Sequence, residues 1–306
     1  MEKGWRELER DCGHWGPRRV SVRTAPPRAA KPAAEIARPP RGHRRQALAQ
    51  VVAPFLVLAL VIAIWLFISF VLLEPRRRFL MPPPQEVVRV GFLDSRNVTE
   101  ILSGLWATTQ VALVGLVVAI AIGTLVAVAM IQARWIEWSI YPWAVVLQTI
   151  PILAIVPLIG FWFQFGFSSR VLVCVLISLF PIVTNTLFGL KSSDQAHHDL
   201  FTLQRATRLQ RLLKLQLPGA LPAIMSGWRI AAGLAVVGAI VGDFFFRQGE
   251  PGIGRLIDDY RARLQSEQLF ASVALSSLLG LVVFWGFGLL GQLLVGSWHE
   301  SHRSTE

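Results

Sequence analysis

Few residues of this chain have the types and spacing that chemistry at a protein site requires. The two cysteines, Cys12 and Cys174, do not have the spacing of a metal site, and the pair His197-His198 stands alone in a polar stretch. The sequence contains no GxxxxGK[ST] phosphate-binding loop and no set of Ser, His and Asp that suggests a nucleophile. We therefore predict that the chain is not an enzyme and that it binds no metal or cofactor itself.

Ionisable residues are also rare near the apolar segments, where Asp243 is the only acidic residue. Carriers driven by an ion gradient usually need ionisable groups within the membrane to relay protons or bind ions. This scarcity argues against an ion-coupled secondary carrier or channel, which we keep as the alternative function. A membrane scaffold or sensor that transports nothing is a third possibility.

The composition predicts a protein embedded in a membrane. Of its 306 residues 53% are hydrophobic and only 16% are charged, whereas soluble domains carry about a quarter. The net charge of +11 lies at the N-terminus and between apolar blocks. Anionic lipid and membrane orientation explain this charge better than nucleic acid does, so the bilayer is an expected partner and nucleic acid is not.

Intervals without charged residues predict an all-α membrane protein with about six transmembrane helices, because a helix needs about 20 apolar residues to cross the hydrocarbon. Residues 1–47 are rich in Arg, Pro and Ala and are predicted to be a disordered basic tail. Residues 48–298 form the transmembrane domain, and 299–306 a short second tail. The six helices are expected near 49–73, 107–132, 139–164, 170–190, 225–246 and 269–296.

The distribution of Lys and Arg predicts the orientation. With six spans both termini lie on one side, and that side carries 20 of the 30 basic residues against 10 on the other. Since basic residues accumulate on the cytoplasmic side, we expect a multi-pass protein of the bacterial inner membrane with both termini in the cytoplasm.

Prolines interrupt the third predicted span, at Pro142, Pro151 and Pro157. Each removes a backbone donor, so this helix should be kinked or broken near residues 149–151. Broken helices at membrane depth are tolerated where they face protein or a water-filled cavity. The candidates for lining a translocation path are Gln148, Thr149 and Pro151, with Asn185 in the next span. Packing kinks and hydrogen bonds between helices remain the alternative explanation.

The loop of residues 191–225 is the only substantial one on the predicted cytoplasmic side. Ser192, Ser193 and Asp194 can cap a helix, and leucines then recur at helical spacing among basic residues. Pro218 is expected to end this helix, and Pro222 to direct the chain into the membrane. The pattern fits either a rigid handle on a membrane span or an amphipathic helix lying on the membrane surface.

This loop resembles the EAA loop of permease subunits of binding-protein-dependent ABC importers, in which E-A-A-x(3)-G precedes a Leu-Pro by about a dozen residues. Asp199, Leu200 and Phe201 fall on the E-A-A positions and Arg205 on the glycine. The stretches PGALPAIMSGWRIAAGLA and VVLQTIPILAIVPLIGFWFQFGFSSRVLVCVLISLFPIVTNTLFGLKSSD resemble the branch for nitrate, sulfonate, taurine and pyrimidine precursors of thiamine. The resemblance covers about residues 48–298.

The resemblance implies a MetI-like type I importer fold, a second permease copy in a homodimer, a cytoplasmic ABC ATPase dimer that binds the ATP, and an extracytoplasmic solute-binding protein. It implies that this permease translocates a small solute and that residues 199–217 act as a lever. The residues expected to couple to the ATPase are Asp199, Leu200, Phe201, Arg205, Ala206, Thr207, Arg208, Leu209, Leu212, Pro218 and Pro222. The bulky residues at the alanine positions and the arginine at the glycine position depart from the family pattern.

Overall fold

The computed structural model describes residues 43–295, with side-chain positions for residues 52–294, and every regular element among them is helical. The predicted tails, residues 1–47 and 299–306, lie almost wholly outside the described residues. The chain divides into two units, residues 1–58 and 59–306. The described part of the first unit is the beginning of helix α1 (His43–Phe67), and the second unit holds the remaining elements.

Six long or paired helices make up most of the second unit. After α1 and a π-helical turn (Ile68–Leu72), these are α3 (Ser95–Gln132), α4 (Arg134–Thr149), α5 (Ile152–Phe163), α6 (Phe167–Lys191), α9 (Leu217–Phe245) and α11 (Ser266–Val295). Shorter elements connect them: a 3₁₀ helix (Pro75–Leu80), α2 (Pro84–Phe92), α7 (Gln195–Leu203), α8 (Arg208–Arg211), a π-helical turn (Leu212–Gln216) and α10 (Ile253–Ala262).

The predicted number of spans is confirmed. Five helices are long and apolar enough to cross a membrane, and the candidate spans number six when α4 and α5, which are bent by 103° at the break between them, are counted as one. The break lies at Ile150 and Pro151, where the prolines of the sequence predicted it. All six spans begin earlier than the charge-free intervals suggested. Helix α3 starts at Ser95, since Asp94 caps it by accepting a hydrogen bond from the backbone N–H of Arg96 at 3.0 Å.

The core of the bundle lies where α3, α6 and α9 pack together. Small residues allow this close approach, as a β-carbon at Gly115 of α3 would overlap Cys174 of α6. On the other side of α6, Gly238 of α9 faces the backbone of the same cysteine at 2.9 Å from an added β-carbon. Apolar side chains fill the remaining space, among them Leu116, Ile182 and Ala235. Because the helices approach closely and side chains fill the remaining space, α3, α6 and α9 form a densely packed unit on which the sites are built.

A second apolar cluster joins α2, α3, α10 and α11 at the end of the bundle where α9 finishes. Its buried members are Val87, Ile101, Ile253, Leu256, Tyr260 and Ala271. Burial raises the pKa of the Tyr260 phenol above its ordinary value, and the nearby Glu100 carboxylate acts in the same direction. Tyr260 therefore stays uncharged at neutral pH. We call this end of the bundle the α10 end, and the end that carries α7 and α8 the α7 end.

Candidate functional site

The segment that resembles the EAA loop is two short helices rather than one. Helix α7 begins at Asp194, whose carboxylate accepts a hydrogen bond from the backbone N–H of Ala196 at 3.2 Å, as the sequence predicted. Helix α7 ends at Leu203, with Gln204 as its C-cap, and α8 starts at Arg208. We call residues 195–216, with their turn, the coupling segment. The lever predicted over residues 199–217 therefore contains a turn between two helices.

A capping box starts the second helix. The Thr207 hydroxyl accepts from the backbone N–H of Gln210 at 3.3 Å, and the Gln210 side chain accepts from the backbone N–H of Thr207 at 2.9 Å. These reciprocal bonds satisfy two donors that the start of a helix leaves without partners. Thr207 thus has a clear structural role in setting where the helix begins.

Arg205 occupies the turn with a left-handed backbone, at φ 51°. A residue with a β-carbon costs about 1–2 kcal/mol in this region, whereas glycine adopts it freely. The backbone supplies a reason for the family's glycine at this position, because the tight turn between α7 and α8 has a positive φ here.

The exposed surface of the coupling segment is apolar and basic. Leu200, Leu209 and Arg208 are exposed, as contact with a partner requires, and Leu203 is the most exposed leucine of the segment at 82%. Sequence reasoning missed Leu203, although it falls four residues after Asp199 on the same helical face. The other predicted coupling residues differ in exposure: Asp199, Arg205, Thr207 and Pro218 are exposed, and Phe201, Ala206 and Pro222 are half-buried.

Leu212 is the exception among the predicted coupling residues. It is only 5% exposed and packs with Leu190, Ala220 and Ile224 beneath the coupling segment. A side chain that contacts a partner has to be accessible, so the structure places Leu212 in the core. Its role is to attach the coupling segment to α6 and α9.

The two prolines do not interrupt the chain as predicted. The helical path is continuous from Arg208 to Phe245, with Pro218 in the first turn of α9 and Pro222 within that helix. The turn just before Pro218 is π-helical, and the backbone N–H of Leu217 donates to the Leu212 carbonyl, five residues earlier. This wider turn accommodates the proline ring, which would clash in a regular helix. The coupling segment is therefore joined to a membrane span by continuous helix.

Polar contacts also link the coupling segment to the bundle. The Arg208 guanidinium donates to the carbonyl of Gln132, the last residue of α3, at 3.4 Å. The Arg211 guanidinium donates to the Thr202 hydroxyl at 3.0 Å and so connects α8 to α7. Nearby, Lys191 pairs with Glu137 and joins α6 to α4. These contacts connect α8 to α3 and to α7, and α6 to α4.

The four predicted path residues fall in two places. Gln148, Thr149 and Pro151 lie together and exposed at the break between α4 and α5, where the Thr149 hydroxyl donates to the Val146 carbonyl at 2.8 Å. Asn185 lies apart from them. Its side-chain amide donates to the Pro181 carbonyl at 2.8 Å, within α6, and its β-carbon faces Gly227 of α9. The hydrogen bond of Asn185 thus goes to its own helix, and its position serves the contact between α6 and α9.

A buried ion pair at the α10 end is the most constrained polar site of the described residues. Asp243 of α9 is fully buried, and its Oδ1 lies 3.2 Å from Nη1 of the buried Arg170 of α6. The guanidinium also donates to three carbonyls, those of Phe246 at 3.0 Å, Gln248 at 2.8 Å and Glu250 at 3.0 Å. The Arg170 side chain therefore holds the segment that follows α9 in place, by hydrogen bonds to the backbone carbonyls of that segment.

Thr108 of α3 completes this cluster. Its hydroxyl donates to Oδ2 of Asp243 at 2.5 Å and accepts from the backbone N–H of Ile253 at 2.8 Å. Gly252 lies against the same carboxylate, which a β-carbon there would overlap. Three spans and the first residue of α10 thus meet at one carboxylate.

Sequence reasoning noticed Asp243 and did not pair it with Arg170. The available signal was that each is a single charge bordering apolar segments, at the same predicted end of its helix. Because an isolated charge is costly at such a position, two of opposite sign at the same depth indicate a pair.

The comparison with protein families identifies the family of this chain. Residues 115–296, from the middle of α3 to the end of α11, match the model of the binding-protein-dependent transport system inner membrane component. The chain belongs to this family. The family's permease subunits belong to ABC importers, so the importer permease is confirmed over the ion-coupled carrier or channel.

Relatives of known name lie in the branch that the sequence indicated. The formylaminopyrimidine transport permease ThiX of Halalkalibacterium halodurans is 32% identical over 248 residues, which cover 80% of this chain and 96% of the relative. The taurine transport system permease TauC of Escherichia coli is 26% identical over 251 residues, which cover 79% and 88%. Membership in an ABC importer family implies an ATPase and a binding protein as partners of the permease.

A solved structure supports the fold. The crystal structure of an amino acid ABC transporter with histidines matches with a TM-score of 0.51 and 16% identity. The match covers 67% of this permease and 97% of that chain. At this identity the similarity concerns the fold alone, and it agrees with the all-α, MetI-like importer architecture predicted from the sequence.

Proposed function

We propose that this permease imports a small, uncharged heterocycle of the pyrimidine type, delivered by an extracytoplasmic binding protein and driven by a separate ATPase that binds the ATP. The observation that supports the solute class most directly is the similarity to the formylaminopyrimidine permease, which covers 96% of that relative at 32% identity. The taurine permease is less similar, at 26%.

The buried ion pair supports an uncharged solute. Arg170 and Asp243 neutralise each other, so neither offers a free charge to a sulfonate or to nitrate. The exposed Arg229 lies over Phe284, with its guanidinium 4.1 Å from the ring centroid. The proposed path residues Gln148, Thr149 and Asn185 carry amide and hydroxyl groups, which suit the ring nitrogens and amino groups of a heterocycle.

The proposed assembly contains two copies of this permease, an ATPase dimer at the α7 end, and the binding protein at the α10 end. The exposed leucines and Arg208 of the coupling segment suit a partner with an apolar groove and acidic groups. The continuous helix from Arg208 to Phe245 would carry a movement of the ATPase into the core of the bundle. The broken span at residues 149–151 is proposed to border the solute path.

We further propose that the α7 end faces the cytoplasm, together with both termini. The excess of 20 basic residues over 10 on that side supports this orientation. Cysteines introduced at Gln204, on the α7 side, and at Gln248, on the α10 side, test it in intact cells. A membrane-impermeant maleimide should label only the second, and labelling of only the first would reverse the orientation.

Transport in proteoliposomes tests the function. The permease would be reconstituted with the ATPase and the binding protein of its own gene cluster, and uptake of a labelled formylaminopyrimidine compared with that of taurine and nitrate. ATP-dependent uptake of the pyrimidine alone is expected. Uptake of taurine or nitrate without the pyrimidine would overturn the solute class. Uptake that persists without ATP and stops when the ion gradient is dissipated would overturn the ABC mechanism itself.

A variant of the coupling segment tests the docking surface separately. Leu209→Asp places a charge on an exposed leucine of α8, and Leu93→Asp places the same charge on an exposed leucine of the α10 end. Only Leu209→Asp should reduce the amount of ATPase that purifies with the permease. Equal yields of ATPase with both variants would remove Leu209 from the interface.

A further inference from the structure

A polar groove at the α7 end borders the coupling segment, and its lining includes none of the residues proposed for the ATPase contact or for the path. It has a volume of about 310 Å³ and lies among the ends of α3 and α6, the start of α4, the middle of α7 and the residue before α9. Its polar lining consists of Arg134, Glu137, Lys191, His198 and Gln216. Five elements thus converge on one concave surface.

The floor and the rim of the groove differ in character. Met130 and Leu190 form a buried apolar floor, with Ile131 beside them. At the rim Lys191 pairs with Glu137, whereas Arg134 has no carboxylate partner among the described residues. Two cations and one carboxylate leave a net positive rim, which suits an anion with apolar substituents.

Tryptophans place this groove at the surface of the bilayer. Trp135 and Trp138 flank its α4 residues and are 69% and 72% exposed. Exposed tryptophans at the end of a membrane span are typical of the headgroup level, where the ring contacts acyl chains and the indole N–H meets water. An anion that reaches the groove along α4 therefore comes from the lipid layer.

We propose that this groove binds the phosphate of an anionic phospholipid. Arg134 donates to the phosphate oxygens, a planar guanidinium being suited to two parallel hydrogen bonds with such a group. Lys191 adds a second positive charge, and the acyl chains leave past Trp135 and Trp138. Because His198 of α7 and Gln216 line the same groove, the headgroup sits between the spans and the coupling segment and holds the two together.

The test is lipid binding by the full-length permease in detergent, measured by native mass spectrometry with equal amounts of phosphatidylglycerol and phosphatidylcholine. The unsubstituted protein should retain phosphatidylglycerol preferentially. Arg134→Gln should weaken that binding by about tenfold, since a charge-assisted hydrogen bond is lost. Arg134→Lys keeps the charge and should retain most of it. Arg96→Gln, at an exposed arginine of the α10 end, is the matched control and should leave it unchanged.

Three results would overturn the proposal. Arg134→Gln could bind phosphatidylglycerol as strongly as the unsubstituted protein does. Arg96→Gln could lose the lipid to the same extent as Arg134→Gln, which would indicate a general effect of charge. Alternatively, inorganic phosphate, added at matched ionic strength and at a concentration similar to that of the lipid, could displace the lipid from the groove. That result would make the groove a site for free phosphate. Lipid binding is measured without the ATPase or solute, so it can fail while transport succeeds.

Discussion

Replacing Asp243 by Asn tests the buried cluster of the α10 end. The substitution keeps the shape of the side chain and removes its charge, leaving the buried Arg170 without a counter-ion. Loss of one partner of a buried ion pair costs about 3–5 kcal/mol, because the other charge stays desolvated. Here three backbone carbonyls still accept hydrogen bonds from the guanidinium, which favours the lower end of that range, about 3 kcal/mol.

The assay is thermal unfolding of the purified permease in detergent. For a domain of this size 1 kcal/mol corresponds to about 2–4 °C, so Asp243→Asn should lower Tm by about 6–12 °C. In Gly252→Ala the added β-carbon would overlap the Asp243 carboxylate, so this variant should also lower Tm. Gly166→Ala is the matched control, since an added β-carbon there meets no atom within 4 Å.

A double-mutant cycle with Thr108→Val sharpens this test. Thr108 and Arg170 contact the same carboxylate, so the effects of Thr108→Val and Asp243→Asn should not add, and the coupling should exceed about 0.5 kcal/mol. A Tm of Asp243→Asn within a degree or two of the unsubstituted protein would refute the reasoning. Strict additivity of the two variants would refute the shared network even if each is destabilised.

Three further predictions concern the coupling segment, with Tm in detergent as the common measurement. Arg205→Gly should raise stability by about 0.5–1 kcal/mol, since glycine relieves the left-handed backbone at some cost in chain entropy; a lower Tm would mean that the arginine side chain stabilises the turn. Thr207→Ala should lower stability by about 1 kcal/mol and make the turn more sensitive to proteolysis, because the capping box is lost; unchanged proteolysis would contradict this. Leu212→Ala should cost about 2–5 kcal/mol, while Leu213→Ala, at a 54% exposed neighbour, should have little effect; similar effects of the two would contradict the burial of Leu212.

The number of candidate spans could be predicted because one physical constraint dominates it. A span must be long and apolar, so the intervals free of charge located five helices and the broken sixth. The proline rule located the break at residues 149–151, since a missing donor has a local effect. Helix starts outside the hydrocarbon were predicted less well. Helix α3 extends back to Ser95 through polar residues, because a capped helix can continue beyond the membrane.

The prolines of the coupling segment show where local rules fail. Pro218 and Pro222 were expected to end one helix and redirect the chain, yet the helix continues through both. The π-helical turn of residues 212–216 gives Pro218 its space, and a sequence of ordinary helix formers does not reveal such a turn. The pairing of Arg170 with Asp243 was missed for a different reason, since it depends on how α6 and α9 pack.

The departures from the family pattern in the coupling segment separate into two kinds. The glycine position, occupied by Arg205, is a matter of the chain's own backbone, because its φ of 51° is needed whatever partner binds. The alanine positions, occupied by Leu200 and Phe201, are different. Both lie inside regular helix α7, where alanine, leucine and phenylalanine can all adopt the required backbone. Their bulk therefore has no conformational cause, and Leu200 presents it to the outside. We expect the consequence to lie in the partner, whose groove must be wider here than one that receives two alanines.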